Sequence, residues 1–272
     1  MSDSTGAATS PSQSPEKVAD GSRRTWGMGP LVGLLPLAAL LLVWQLAGSP
    51  QSPFFPAPSS WPRALAGLSG EDALAPAVVA TLRTVVIALA LATLLGAACG
   101  LVVGGSRLAD RALGPSFEFA RALPPAVMVP VATLLLGYAE TMKVLVVTIA
   151  TIWPILLNTR AGVRSVDRTL LDVTRSLRLG HVDRLRKVIL PSLLPSITLG
   201  LRVAAPITVV ITLLVEVITQ VNGVGALIAH SQRTFQPARV WALIVVAGAL
   251  SLGVNMAAEA VERRLFRYRP TS

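Results

Sequence analysis

Groups able to do covalent or proton-transfer chemistry are scarce in this sequence, and the few present are scattered. His181 and His230 sit in separate polar connections and the single cysteine, Cys99, lies inside an apolar run, which leaves no disulfide framework, no zinc-ligand spacing and no histidine cluster. Nothing matches GxxxxGK[ST], so the chain has no phosphate-cradling loop and is not expected to hydrolyse nucleotide itself. The remaining candidates are polar or ionisable groups set among apolar residues. A charge in hydrocarbon is costly and marks either a pathway or a paired contact. Arg83 and Glu216 stand at matching depth in their runs and are expected to face one another, as a fixed ion pair between helices or as groups that meet a solute. Trp153 and Asn158 flank Pro154, where freed backbone groups either line a cavity or are satisfied by bonds between helices. Arg202 stands near the start of its run, and Asn255 and Glu259 fall in the last one, with Glu259 expected in solvent at the membrane edge.

The elements that must hold these groups follow from composition. Of 272 residues, 53% are hydrophobic and 14% charged, and the mean hydropathy is +0.64. That is too little polar surface to coat a soluble globule, and the chain reads as an all-α integral membrane protein. A bilayer core needs about 20 apolar residues per helix. Six runs approach that length: Pro30–Ala47, Pro76–Gly105, Arg121–Tyr138, Thr141–Thr159, Leu194–Thr219 and Val240–Glu262. Residues 1–25, rich in Ser, Thr, Pro, Gln and Gly, read as a disordered tail. The first run follows Arg23 and Arg24 and precedes Ala47, Gly48 and Ser49, the pattern of a cleavable signal, but five further spans favour a retained helix. The link "SPQSPFFPAPSSWPRAL" suits an interfacial turn. Gly96, Gly100 and Gly104 form a small-residue stripe on the second run, either static packing or a moving seam. Pro124, Pro125 and Pro130 on the third run, Pro154 on the fourth and Pro206 on the fifth predict kinks, fixed or hinged.

Basic residues orient the spans. Lys17, Arg23 and Arg24 lie in the tail, Arg107, Arg111 and Arg121 around the connection after the second run, and Arg263, Arg264, Arg267 and Arg269 at the C-terminus. The connection after the fourth run adds Arg160, Arg164, Arg168, Arg175, Arg178, Arg184, Arg186 and Lys187. The opposite side holds only Arg63, Lys143, Arg233 and Arg239. Bases this lopsided are topology signals rather than a nucleic-acid surface, and they predict that both termini are cytoplasmic.

The basic connection from Arg160 to Ser192 is patterned. Leu170, Val173 and Leu177 recur at helical spacing, and after Gly180 the series resumes with Val182, Leu185 and Val188 or Ile189, predicting two short amphipathic helices with a bend. Asp172 with Arg175, and Asp183 with Arg186 and Lys187, are spaced to support each helix. Pro191 is expected to end the second helix and Pro195 to open the fifth span. Helices this short are marginal in water and need a surface to lean on, either another protein or anionic lipid.

The stretch "LLDVTRSLRLGHVDRLRKVILPSLLPSI" resembles the EAA signature of binding-protein-dependent ABC importer permeases: E-A-A, three residues, Gly, eleven residues, Leu-Pro. Aligned on Leu190 and Pro191, Asp172, Val173 and Thr174 occupy the E-A-A positions and Arg178 the glycine position. Arginine lacks glycine's backbone freedom, so Gly180 is expected to supply the bend. From Ala77 to Glu262 the order of "RALPPAVMVPVATLLLGYAETMK", "TIWPILLNTRAGVRSVD", "LPSITLGLRVA" and "VEVITQVNGVGALI" is similar to the nitrate, sulfonate and taurine branch of these permeases, covering about two thirds of the chain.

The resemblance implies a type I permease fold of six transmembrane helices. It divides the chain into a cytoplasmic tail (1–25), a first helix and external linker (26–74), a permease domain (75–262) and a basic cytoplasmic tail (263–272). It implies a plasma-membrane transport subunit, paired with a second permease as a homodimer, carrying cytoplasmic ATPase subunits and receiving a small anion from an extracytoplasmic binding protein. ATP and magnesium belong to the ATPase. The ATPase-docking residues are then Leu170, Val173 and Leu177 as apolar anchors, Asp172, Thr174 and Arg178 as polar register, and Gly180, Leu190 and Pro191 as the bend and its end. The rival classes are an ion-gradient transporter or channel, which calls for inverted repeats and mid-membrane ionisable groups, and an intramembrane enzyme, which calls for convergent His, Asp or Ser groups.

Overall fold

Long apolar runs fold as helices because every backbone N–H and C=O must be satisfied where no water reaches. The computed structural model describes residues 35–49, 52, 54–70 and 73–266. The expected tail at 1–25, the opening of the first run at 30–34 and the basic residues Arg267 and Arg269 lie outside the described residues. Residues 1–43 and 44–272 are separate compact units. Of the first, only the opening part of helix α1 (Leu35–Ala47) is described.

In the second unit a short 3-10 turn (Pro58–Ser60) precedes α2 (Trp61–Gly70), then come α3 (Leu74–Gly105), α4 (Arg107–Ala122), α5 (Pro125–Leu136) and α6 (Glu140–Ser165). After these run α7 (Arg168–Ser176), α8 (His181–Arg184), α9 (Leu190–Thr219), α10 (Val224–Arg233) and α11 (Pro237–Phe266). Four helical stretches are long and apolar enough to cross a bilayer, namely α3, α6, residues 182–219 and α11, or five if the bent pair α4 and α5 counts as one.

Helix α6 lies between α3 and α9, and glycines make both contacts close. A Cβ on Gly100 would stand 2.7 Å from the Leu156 carbonyl and 2.7 Å from the Thr159 Cβ, and one on Gly104 would stand 2.8 Å from the Val163 Cβ. On the other flank, a Cβ on Gly200 of α9 would come 2.8 Å from the Ile155 Cα. The stripe on α3 is therefore a packing seam for α6.

The third run departs from expectation. In place of one kinked span over Arg121–Tyr138, α4 and α5 meet at 92°. Leu123 and Pro124 each precede a proline and both adopt extended backbone, with ψ 122° and 133°, because a residue before proline is driven out of the helical region. Pro125 then starts α5 at the position where its missing N–H costs nothing. The connection after the second run, expected only as a basic loop, is the amphipathic helix α4, capped by Ser106, whose Oγ accepts from the Ala109 N–H at 3.2 Å. Helices α2 and α10 were likewise not expected.

Pro191 does not end a helix. From Val182 the chain runs as one helical stretch to Thr219, with a π turn at Leu185–Ile189. The Leu190 N–H reaches back to the Leu185 carbonyl, and the Ser192 hydroxyl donates to the Val188 and Ile189 carbonyls. The wider turn accommodates a residue with no N–H to give.

Gly100→Ala is expected to lower the stability of the purified protein by about 1–3 kcal/mol through overpacking against α6. Gly105→Ala meets nothing within 4 Å and is expected to be neutral; paired thermal melts in detergent check the contrast.

Candidate functional site

At the end of the bundle opposite the basic connections, four elements meet around one carboxylate. Glu216 of α9 and Lys143 of α6 are both 0% exposed, with Nζ 3.1 Å from Oε1. Thr81 of α3 donates its hydroxyl to the same carboxylate, 3.1 Å from Oε1 and 2.9 Å from Oε2. The Gly225 N–H of α10 donates to Oε2 at 3.0 Å. Lys143 also donates to the Asn222 carbonyl at 2.5 Å, and the Val224 N–H donates to the Thr81 hydroxyl at 2.9 Å. A buried ion pair is stable only when its remaining lone pairs and protons are satisfied, and here the turn from Asn222 to Gly225 supplies those groups. At Gly223 the turn has no room for a side chain: a Cβ there would collide with the Glu216 carboxylate.

This overturns the expected pairing of Glu216 with Arg83. Arg83 of α3 instead pairs with Glu140 at the start of α6, one turn before Lys143. Thr81 and Arg83 lie two residues apart on α3 and so face different ways, which sends one toward Glu216 and the other toward Glu140. Lys143, which reads in the sequence as a loop base, is wholly buried. Its signal is its position only two residues into an apolar helical run.

The two pairs differ in exposure. Arg83 and Glu140 are 61% and 34% exposed, and they stand between two cavities. One, of about 470 Å³, is lined by the start of α3, Asn222, Gly223, Ala226 and Leu227. The other, of about 460 Å³, runs along Thr84, Ile87, Leu91 and Leu95 of α3 and Thr141, Val144, Leu145 and Thr148 of α6. Arg83 and Glu140 line both.

The other expected polar groups have local partners. The Asn158 amide donates to the Pro154 carbonyl at 2.7 Å, and the Trp153 ring meets Phe117 of α4 edge-on, centroids 5.8 Å apart. Neither residue lines the two cavities. Glu259, expected in solvent, lies 3.3 Å from Arg202, accepts from the Asn255 amide at 3.2 Å and shares Arg202 with Glu262. This cluster ties α9 to α11.

At the basic end, Asp110 of α4 pairs with both Arg160 and Arg164 of α6. The chain then turns at Asp167, whose Oδ1 accepts from the Thr169 N–H at 2.8 Å and caps α7. That hydrogen bond holds the Asp167 carboxyl below the usual carboxylate range. The cap is complete at neutral pH, persists below the ordinary Asp pKa, and is lost only as pH falls through the lowered value.

On α7 and the turn after it, Leu170, Val173 and Leu177 are exposed while Thr174 is buried. Asp172, Arg178, Gly180, Leu190 and Pro191 are exposed as well, and Lys187 lies 3.0 Å from Asp183, one helical turn away as expected. The bend is not made by Gly180. Arg178 itself takes the left-handed conformation, φ 50°, while the Leu179 N–H closes on the Thr174 carbonyl at 3.1 Å. A side chain at such a backbone costs roughly 1–2 kcal/mol, so the turn keeps its shape without the glycine.

Residues 92–267 match the family model described as the binding-protein-dependent transport system inner membrane component. The chain belongs to this family. It is an ABC importer permease of the nitrate and sulfonate branch, a transport subunit rather than an enzyme. It is 28% identical over 248 residues to an aliphatic sulfonates transport permease of Bacillus subtilis, covering 89% of this chain and 88% of that one. A bicarbonate transport system permease of Synechocystis is 33% identical over 208 residues, 72% of this chain and 73% of the relative. A nitrate import permease of Leptolyngbya laminosa is 28% identical over 79% of this chain and 80% of its own. Among solved structures, a methionine ABC transporter in an inward-facing conformation superposes with a TM-score of 0.61 at 14% identity, over 68% of this chain and 93% of that one. The permease is thus a multi-pass, all-helical membrane protein with the fold of that transporter.

Lys143→Met leaves the Glu216 charge buried without its cation and is expected to cost about 3–5 kcal/mol, whereas Lys143→Met with Glu216→Met recovers part of the loss. Arg83→Gln, at an exposed pair, is expected to cost no more than about 1 kcal/mol. Folded yield and melting temperature of the purified variants check the order.

Proposed function

We propose that this permease moves a small anion inward, driven by ATP that a separate subunit hydrolyses with its magnesium; the chain itself holds no cofactor. The observation that carries the reading is the uncovered apolar row Leu170, Val173 and Leu177 on the α7 segment at the basic end. A helix of nine residues does not stand alone in water, and an apolar row flanked by charge suits a protein surface: the apolar groups supply the contact and Asp172 and Arg178 the register. The relatives' sulfonate, bicarbonate and nitrate transport roles supply the solute class.

In this reading the unit is a homodimer with two ATPase subunits and an extracytoplasmic binding protein. Counting α1 as the first crossing and α4 with α5 as one, each permease has six, with both termini and the α7 segment cytoplasmic, as the bases require. Nucleotide closure then pushes α7, and because α7 follows α6 after two residues, the push passes into the helix that α3 and α9 grip. Leu190 and Pro191 sit where the loop returns to the membrane, and the π turn beside them lets the second half of the loop bend while remaining helical. Arg83 is the pathway residue of this reading; Glu216 holds the α10 turn, and Trp153 and Asn158 steady the Pro154 bend.

Asp172→Arg or Val173→Asp is expected to abolish ATP-dependent, vanadate-sensitive uptake in cells co-expressing the ATPase, with the permease still inserted at normal abundance. Undiminished uptake by these variants removes the docking role, and uptake that follows a proton or sodium gradient without ATP removes the importer reading altogether.

A further inference from the structure

We propose that Arg83 and Glu140 form an anion seat between the two cavities, with Glu140 as the counter-ion that an arriving anion displaces. The inference rests on the importer reading and adds to it the place and chemistry of binding. Arg83 precedes the stretch that the family model matches, residues 92–267.

Two observations converge. First, Arg83 lines both cavities, one beside residues 73–80 of α3 and the other beside residues 84–95. A path along α3 from the first to the second covers about 20 Å of helix at 1.5 Å per residue and passes the guanidinium. Second, the Arg83–Glu140 pair is of the separable kind. It is 61% and 34% exposed, so breaking it costs little, unlike the fully buried Lys143–Glu216 pair, whose cation is committed. A displaced Glu140 also has somewhere to rest: it stands in the first turn of α6, where the helix dipole favours an anion.

The lining identifies the ligand's shape. Beyond Arg83 and Glu140 the second cavity is walled mainly by Ile87, Leu91, Leu95, Val144 and Leu145. That combination fits a monoanionic oxygen head, which guanidinium binds in fork geometry, attached to a short apolar tail, and it suits a short alkanesulfonate better than a bare inorganic anion. The same chemistry is presented by an anionic lipid, and the test separates the two sources.

The permease–ATPase complex, without binding protein, is placed in nanodiscs of zwitterionic lipid and titrated with radiolabelled ethanesulfonate. Wild type is expected to bind saturably. Arg83→Gln should weaken binding at least tenfold, with part recovered by Arg83→Lys, and Glu140→Gln should tighten it several-fold, since the competing carboxylate is gone. The opposite signs at Arg83 and Glu140 are the signature, because a merely structural pair predicts that both variants lose stability together with no such split. No binding by wild type, equal affinities across the set, or losses at both positions overturns the seat. So does ethanesulfonate failing to bind while phosphatidylglycerol is retained in an Arg83-dependent way. ATP-dependent uptake by the complete transporter is measured in parallel. Uptake of sulfonate, nitrate or bicarbonate alongside a failed titration overturns only the seat, whereas absence of ATP-dependent uptake of all three overturns the importer reading beneath it.

Discussion

The structure depends on how closely α6 is approached from both sides. In hydrocarbon, apolar side chains gain nothing by leaving lipid for one another, so helices associate through close backbone contact and through polar groups that would otherwise be stranded. Helix α6 uses both means. Gly96, Gly100 and Gly104 let α3 lie against its backbone, and Gly200 does the same for α9. Toward one end Lys143 draws in α9 and the α10 turn through Glu216 and the Asn222 carbonyl. Toward the other end Arg160 and Arg164 hold α4 through Asp110. One helix of 26 residues therefore touches the Arg83–Glu140 pair, the bundle core and the start of α7.

The charges at the end away from the basic connections divide by what surrounds them rather than by type. Two Lys or Arg to Glu pairs share α6, one joining it to α3 and the other to α9, yet only one is sealed. Around Glu216, Thr81 and the Gly225 N–H complete the carboxylate's bonding and Gly223 excludes water by close approach. Such an arrangement rigidifies because removing any one member strands a buried charge. Around Arg83 no such cage exists, and the guanidinium faces open volume on two sides.

Much of this was legible in residue order. The apolar runs at 76–105, 141–159, 194–219 and 240–262 correspond to α3, α6, α9 and α11 because a run longer than a bilayer core can satisfy its backbone only as a helix. The glycine stripe and the exposed row on α7 followed from the helical period. What stayed hidden was tertiary. Depth alone matched Glu216 to Arg83, whereas the actual partners depend on which way Thr81, Arg83 and Lys143 face around their helices. Lys143 counts among the flanking bases by its charge at the very start of the run from Thr141, and only the fold shows it turned inward. The Pro124–Pro125 break was read as a kink, since a sequence shows that a helix is interrupted but not that its halves turn through 92°.

The turn after α7 shows how a motif can lose a residue and keep its geometry. Glycine is favoured where φ is positive because it lacks a Cβ, but the penalty for another residue is only roughly 1–2 kcal/mol. Arg178 accepts that backbone at φ 50° while the Leu179 N–H still reaches the Thr174 carbonyl, and burial of Thr174 fixes the turn from beneath. Gly180, two residues on, is left with ordinary backbone and merely opens α8. What the turn must conserve is therefore the angle between α7 and the helical stretch that begins at Val182. With that angle held, the apolar row on α7 stays exposed, while α7 remains tied to α6 at one end and, through the turn, to the helical stretch that continues into α9 at the other.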